Sequence, residues 1–399
     1  MSASRSMRAP SAVNGAEDDL VVVRPEGLYC PPGDFFIDPW RPVDRAVITH
    51  AHADHARAGH RHYLAHDDAA GVLRRRLGDG IALQTLPYGE PVTHRGVRVS
   101  LHPAGHVLGS AQIRLEHAGR VWVASGDYKT QADGTCPPFE PVRCDAFITE
   151  STFGLPVYRW PSPATLLREI LDWWRANADA GRASVLYCYA FGKAQRILHA
   201  LAGEGEGEGT AIGPILVHGA IDVLNDAYRA AGVRLAPCLR VTGLDDRRAG
   251  HPRALVLAPP SAQGTPWLRR FGDHADAFAS GWMQLRGTRR RRGVDRGFVM
   301  SDHADWPGLQ AAIAATGASR VFVTHGHVDV MVRWLNERGL AARGFATGYG
   351  DEEDGKDDRN DKDAGDGDGD GDGDGERDKG PGAPDGADAL SGPREEGAA

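Results

Sequence analysis

The segment Ile48–His60 reads ITHAHADHARAGH and places His50, His52, Asp54 and His55 directly after an apolar run. In an extended backbone alternate side chains share a face, so His50 and His52 converge on one point. Asp54 and His55 are adjacent, and a turn into a helix aims them at a second point nearby. Neutral imidazole and carboxylate are donors that suit a borderline divalent ion such as zinc, at about 2.0–2.2 Å. A His-rich surface would also supply imidazoles, since the chain has 17. It would not supply this spacing behind a strand.

One segment cannot fill two metal shells, and further donors stand at other strand ends. His106 lies in HPAGHVLGS, with His102 as a weaker competitor. Asp127 follows the strand pattern Val121–Ala124, and His325 follows Val321–Thr324. A lone His or Asp at a strand end is common. A series of them is how a sheet builds one catalytic edge. A second group accompanies the first. Glu150 ends a strand in FITESTFG, and His303 stands between Asp302 and Asp305 in MSDHAD. Gly192, Lys193 and Gln195 occupy a strand-to-helix turn in YAFGKAQR. Alone, Glu150 reads as a capping carboxylate and the turn as an ordinary one. A helix N-terminus beside Lys193 can also hold a phosphate.

Around these residues the texture changes twice. From Leu20, short strands and glycine turns predominate, with a short helix in DDAAGVLRRRLG that stops at Gly78. Near Ser162 a capped, proline-initiated helix begins in SPATLLREILDWWRAN, with its stripe at Leu166, Leu167, Ile170, Leu171 and Trp174. Strand and helix then alternate, which predicts a small α/β domain with a parallel sheet. EGEGEGT, at Glu204–Thr210, is expected to be a flexible loop. From Gly297 the strands with polar ends return. The run from Met283 to Gly297 carries Arg286, Arg289, Arg290, Arg291, Arg292 and Arg296 on an expected connector. It is suited to backbone phosphates, although such runs are often only solvated surface.

Composition narrows the classes. No run of 18 apolar residues exists, so no membrane span is expected. The first 19 residues lack an apolar leader core and read as a loose arm. The five cysteines form no CxxC pair, which disfavours a disulfide framework and a thiolate site and fits a reducing cytoplasm. From Asp351 onward there are 19 acidic and 6 basic residues, whereas the preceding 350 residues carry 40 basic against 35 acidic. This mildly basic body permits a polyanionic substrate. The tail, with GDGDGDGDGE, cannot build a core and is expected to be disordered. Its period of two lacks the fixed carboxylate positions of a calcium loop.

HAHADH at His50–His55, taken with Asp38 in FFIDPW, His106, Asp127 and His325, resembles the metallo-β-lactamase superfamily. The resemblance implies an αββα sandwich with metals at its rim. It implies one zinc on His50, His52 and His106, a second on Asp54, His55 and His325, Asp127 bridging, and Asp38 supporting the site. Glu150, His303 and His325, in that order, resemble motifs A, B and C of the β-CASP branch, whose extra α/β domain interrupts the lactamase fold. The implied organisation is an arm at 1–19, a lactamase domain at 20–160 and 298–350, an insert at 161–297 and an acidic tail at 351–399. GLYCPPGDFFIDPWRPVDRAVITHAHADH and RVFVTHGHVDVMVRWLNERGLAARGF are similar to the bacterial ligase-associated DNA exonucleases, also described as mRNA 3′-end processing factors.

The resemblance thus implies a metal-dependent nuclease in DNA repair. Asp54, Asp127, Glu150 and His303 would be its catalytic residues, zinc its metal, and manganese an alternative activator. DNA would be its substrate, with an ATP-dependent DNA ligase and a helicase as partners. Lys193 and Arg289–Arg292 are the expected nucleic-acid contacts. Tyr128, Phe153, Tyr158, Trp160 and Phe191 are candidates to stack a base, although core or rim packing is the commoner fate of each. Histidine at motif C keeps RNA as the second reading. A small-molecule hydrolase would not need the insert, Glu150, His303 and the arginines together. A non-enzymatic nucleic-acid-binding protein would have lost ligands that are all present here.

Overall fold

The computed structural model describes residues 19–203, 212–241 and 251–349, all within one compact unit. The expected tail from Asp351, the loop Glu204–Thr210 and the arm lie outside the described residues, except Asp19. Asp19 is buried and held by Arg320 and Arg343 at 2.6 and 2.7 Å. These ion pairs tie Asp19 to the strands that carry Arg320 and Arg343.

The first sheet runs in chain order: β1 (Val22–Arg24), β2 (Gly27–Cys30), β3 (Phe35–Ile37), β4 (Arg45–Val47), β5 (His62–His66) and β6 (Leu83–Leu86). The strands β3 to β6 are parallel. The second sheet begins with β7 (Pro91–His94), β8 (Val97–Pro103), β9 (Ala111–His117), β10 (Arg120–Ala124) and β11 (Ala146–Ser151). The chain then leaves to build a third sheet from β12 (Ala183–Tyr187), β13 (Ile215–Val217), β14 (Leu239–Arg240), β15 (Leu255–Ala258), β16 (His274–Ala279) and β17 (Arg296–Phe298). That sheet is parallel throughout, in the order β14-β13-β15-β12-β16-β17. The chain returns as β18 (Arg320–Gly326) and β19 (Ala341–Gly344), which pair parallel beyond β11.

The first two sheets share one apolar core. Val97, Val99 and Leu101 of β8 are buried while Arg98 is exposed, the alternation of a strand with one face inward. They meet Leu28, Phe35, Ile37 and Val47 of the first sheet. Each such side chain removed from water stabilises the fold by roughly 1.5–3 kcal/mol. The far face of the second sheet is covered by two helices at Trp306–Thr316 and Val328–Glu337. The far face of the first packs against the helix Ala70–Leu77 and continues into the core beside the third sheet through Phe191, Ile197, Leu198 and Tyr228.

Local signals explain much of this. The helix Pro163–Asp179 starts as its sequence requires: the Ser162 hydroxyl accepts from the Thr165 amide, and Pro163 needs no donor. The helix Ala70–Leu77 stops at Gly78. Two expectations shift. The arginine run folds as a helix, Arg286–Arg292, instead of a connector. Phe298 belongs to the third sheet through β17, so the return to the second sheet begins after it.

Candidate metal centre

Parallel strands bring their carboxyl ends to one edge, where ligands commonly bind in α/β sheets. Asp38 follows β3, and His50 follows β4. Asp127 follows β10, Glu150 closes β11, and His325 lies near the end of β18. Gly126 has φ +56°, and a methyl there would stand 2.6 Å from the Thr49 side chain, so Asp127 is placed by a turn that only glycine makes easily.

The ligand atoms of His50, His52, His106 and Asp127 all lie within 4.8 Å of one another, as do those of His55, Asp127 and His325. Asp127 belongs to both groups. Its Oδ2 is 3.5 Å from His50, 3.4 Å from His55 and 3.9 Å from His106, and its Oδ1 is 3.2 Å from His325. Asp54 stands beside the second group, with Oδ2 3.5 Å from His55 Nε2. His102 lies apart, against Ser100.

Hydrogen bonding fixes which nitrogen of each ring faces inward. The Thr49 hydroxyl donates to Asp38, so it accepts from His50 Nδ1 at 3.0 Å. His55 Nδ1 donates to Asp38 Oδ2 at 2.8 Å. The Thr324 hydroxyl donates to the Thr149 carbonyl, so it accepts from His325 Nδ1 at 3.2 Å. His52 Nε2 donates to the Phe191 carbonyl at 3.3 Å, and His106 Nδ1 donates to the Asp302 carbonyl at 2.7 Å. Each of the five rings therefore turns its other nitrogen inward. His52 Nδ1 and His106 Nε2 face each other at 3.0 Å. His50 Nε2, His55 Nε2 and Asp127 Oδ1 are buried without a hydrogen-bond partner. Opposed ring nitrogens around a carboxylate are a donor set that a divalent cation satisfies.

Electrostatics agree. Burial holds His50 well below the usual imidazole range, with the neighbouring His55 adding to the effect. Burial also lowers His52 to about 4 and His106 to about 3. These rings stay neutral, the form that ligates. Burial, the largest single effect, would lower His55 and His325 too, but the surrounding carboxylates, with Asp127 foremost, together outweigh it and raise both. The same carboxylate field attracts a metal ion.

Beside this cluster, His303 Nδ1 donates to Glu150, and Glu150 Oε1 also accepts from the Tyr128 amide at 2.8 Å. The ligand atoms of Asp127, Glu150 and His303 also approach within 4.8 Å. Glu150 is already committed to the His303 and Tyr128 protons, which separates this pair from the ligand groups.

Other residues fare differently. Lys193 is not open to a phosphate: its side chain is 1% exposed, and its ammonium lies 3.4 Å from Asp302 Oδ2. Tyr128, Phe153, Tyr158 and Phe191 are core side chains, the commoner fate of such aromatics. Trp160 is half-buried, with Nε1 donating to the His303 carbonyl. Arg290 and Arg291 are exposed, and Arg292 covers the Phe278 ring at 4.6 Å. The side chain of Arg289 lies outside the described residues.

Sequence reasoning missed Thr49, Thr324 and Tyr349. The first two had a signal, since both inward-facing histidines at strand ends are preceded by threonine, in ITH and VTH. Tyr349 stacks on His55 at 4.4 Å with no motif around it, and burial keeps its phenol protonated.

No family model matches the chain. A probable DNA ligase from Opitutus terrae is 32% identical over 319 residues, covering 79% of this chain and 30% of the ligase. An RNase J-like protein from Methanocaldococcus jannaschii is 27% identical over 179 residues, covering 39% of this chain and 42% of that protein. The chain thus spans less than half the length of these relatives. A crystal structure of a protein of unknown function from Enterococcus faecalis V583 shares the fold, with TM-score 0.50 and 10% identity over 70% of this chain and 74% of that one. The inward-facing histidines and the relatives lead to the same place: the chain belongs to the metallo-β-lactamase superfamily, in its β-CASP branch.

Proposed function

We propose that the chain is a two-metal nuclease that hydrolyses phosphodiester bonds, and that its substrate is DNA cut from an end. The observation that carries this reading is the set of five histidines whose outward nitrogens are all hydrogen-bonded and whose inward nitrogens surround Asp127. His50, His52 and His106 would hold one zinc, His55, His325 and Asp54 the other, with Asp127 between them. Bound divalent ions supply Lewis acidity that offsets phosphoryl charge and makes water a nucleophile near neutral pH.

The chain's own residues do the rest. Glu150 fixes the His303 tautomer with its proton on Nδ1, so proton exchange with the leaving oxygen falls to Nε2. Asp54, at the more open side of the cluster, steers the attacking water. The exposed arginines of the helix Arg286–Arg292 grip backbone phosphates. In this reading the first two sheets with their helices are the αββα sandwich, and the third sheet is the β-CASP insert. No helix among the described residues is long and apolar enough to cross a membrane, and we assign the chain to the cytoplasm.

DNA is favoured by the long match to a chain named as a probable DNA ligase. It also makes a ligase a partner to seek, and the helicase follows from the resemblance to the ligase-associated exonucleases alone. RNA is the second reading, supported by His325 at the third motif and by the RNase J-like relative. The test is matched single-stranded DNA and RNA, labelled at either end, with manganese, magnesium and zinc in turn and a thioester as control. Stepwise release of mononucleotides from DNA supports the proposal. Internal cleavage of RNA with DNA untouched overturns the substrate and the mode. An Asp127→Asn chain that keeps both metals and full activity would sink the centre itself.

A further inference from the structure

Two of the inward-facing histidines take their outer hydrogen bonds from the far side of the insertion. The Phe191 carbonyl that holds His52 Nε2 lies in the turn between β12 and the helix Lys193–Gly203. The Asp302 carbonyl that holds His106 Nδ1 follows β17. The Asp302 side chain is in turn clasped by that same helix. Lys193 Nζ lies 3.4 Å from Oδ2, and Arg196 Nη1 lies 3.4 Å from Oδ1 and donates to the Ser301 carbonyl at 2.5 Å. Arg196 Nε reaches Asp133 Oδ2 at 3.2 Å, and Lys129 pairs with the same carboxylate. None of these five charged side chains is more than 8% exposed.

Burying five charges is costly in desolvation, and apolar side chains of similar size would often stabilise the fold as well or better. What the network secures is position. The turn is seated tightly: Gly192 has φ +97°, and a methyl on it would stand 2.7 Å from Val107 Cγ1 and 3.0 Å from Asp302 Oδ2. Val107 is the neighbour of His106. The docked turn therefore sets the Phe191 carbonyl, the Asp302 backbone and the His106 loop together.

We propose that the Phe191–Gly192 turn and the Lys193/Arg196–Asp302 ion pairs are positioning elements for His52 and His106, so that the ion held by the His50, His52 and His106 group is retained only when this part of the insert is docked. The proposal rests on the metal-centre reading above. It separates the two ions, because the outer partners of His55 and His325 are Asp38 and Thr324, which belong to the first two sheets.

The test is zinc affinity of the full chain, measured by competition with a chromophoric chelator, alongside thermal melting of the metal-free protein. The charge-balanced pair Lys193→Met with Asp302→Asn, and independently Gly192→Ala, should each weaken one of the two ions by about 10–100-fold and leave the other at its original affinity. Arg196→Met should behave likewise, and Arg196→Lys should restore most of the loss. Gly192→Ala keeps every charge, so it still decides the matter if the charge variants do not fold. Two ions held as in the unaltered chain, or both ions weakened alike, would overturn the proposal. Failure of the unaltered chain to bind zinc would overturn the metal-centre reading instead.

Discussion

His303 Nδ1 lies 2.9 Å from Glu150 Oε2 and 3.0 Å from Oε1, with both side chains buried. A histidine held this way has a fixed tautomer and a neighbour that stabilises its cation. His303→Ala should therefore retain both metals and lose about 10²–10⁴-fold in rate, the usual worth of one proton-transfer group. Glu150→Gln should lose less, since the amide oxygen still accepts the Nδ1 proton. Single-turnover rates beside metal analysis decide it. Loss of an ion in His303→Ala would make His303 a ligand.

The Thr49 and Thr324 hydroxyls each accept a histidine proton and pass their own onward, to Asp38 and to the Thr149 carbonyl. Thr49→Val and Thr324→Val keep shape and remove the acceptor. Each should weaken metal binding by about 10-fold or more, and serine at either position should recover it. Equal affinity in the valine and native proteins would show that packing alone orients these rings.

Replacing Arg290, Arg291 and Arg292 by serine should weaken oligonucleotide binding and flatten its salt dependence. For every phosphate that an arginine no longer neutralises, the slope of log affinity against log salt falls by about 0.7 on single strands. A slope that does not move would leave the helix as a solvated face.

Acid should act through Asp133. Burial would raise its pKa, but the charges of Lys129 and Arg196 and the hydrogen bonds from Lys129 and Thr135 hold it at about 2. An unfolded aspartate titrates near ~3.9. The folded pKa is depressed, so the contribution is complete above about pH 4 and is lost as pH falls toward 2. Its size is on the order of 2 kcal/mol. Asp133→Asn should lower stability at neutral pH and flatten the loss between pH 4 and 2, as followed by denaturant unfolding of the metal-free chain. An unchanged acid profile would mean that other carboxylates govern it.

The residues that gather around Asp127 were legible because their signal is local. His50 to His55 advertise themselves by spacing, and Asp127 and His325 by their place after apolar strands. The helix Pro163–Asp179 was legible from its cap and stripe. Lys193 was not, because its partner Asp302 is remote in sequence and nothing near Lys193 announces a buried carboxylate. The Phe191 and Asp302 carbonyls were invisible for another reason: every residue has one, and only the fold selects which is used. The arginine run reads as a connector because its charge density hides a short helix that tertiary packing of Thr288 supports.

The strands β11 and β18 are hydrogen-bonded neighbours, yet the Ser151 hydroxyl and the His325 carbonyl it reaches are 174 positions apart. Glu150 leaves the ribosome before the third sheet is made, and His303 and His325 only after it. A nascent chain thus carries all three histidines of the first group early but completes neither the second group nor the Glu150–His303 pair until the third sheet has been made. Pairing of such distant strands is also slow. Under the function proposed above, the fold delays its own hydrolytic competence, and a chain cut short before β17 would lack His303 and His325 and so carry an incomplete centre.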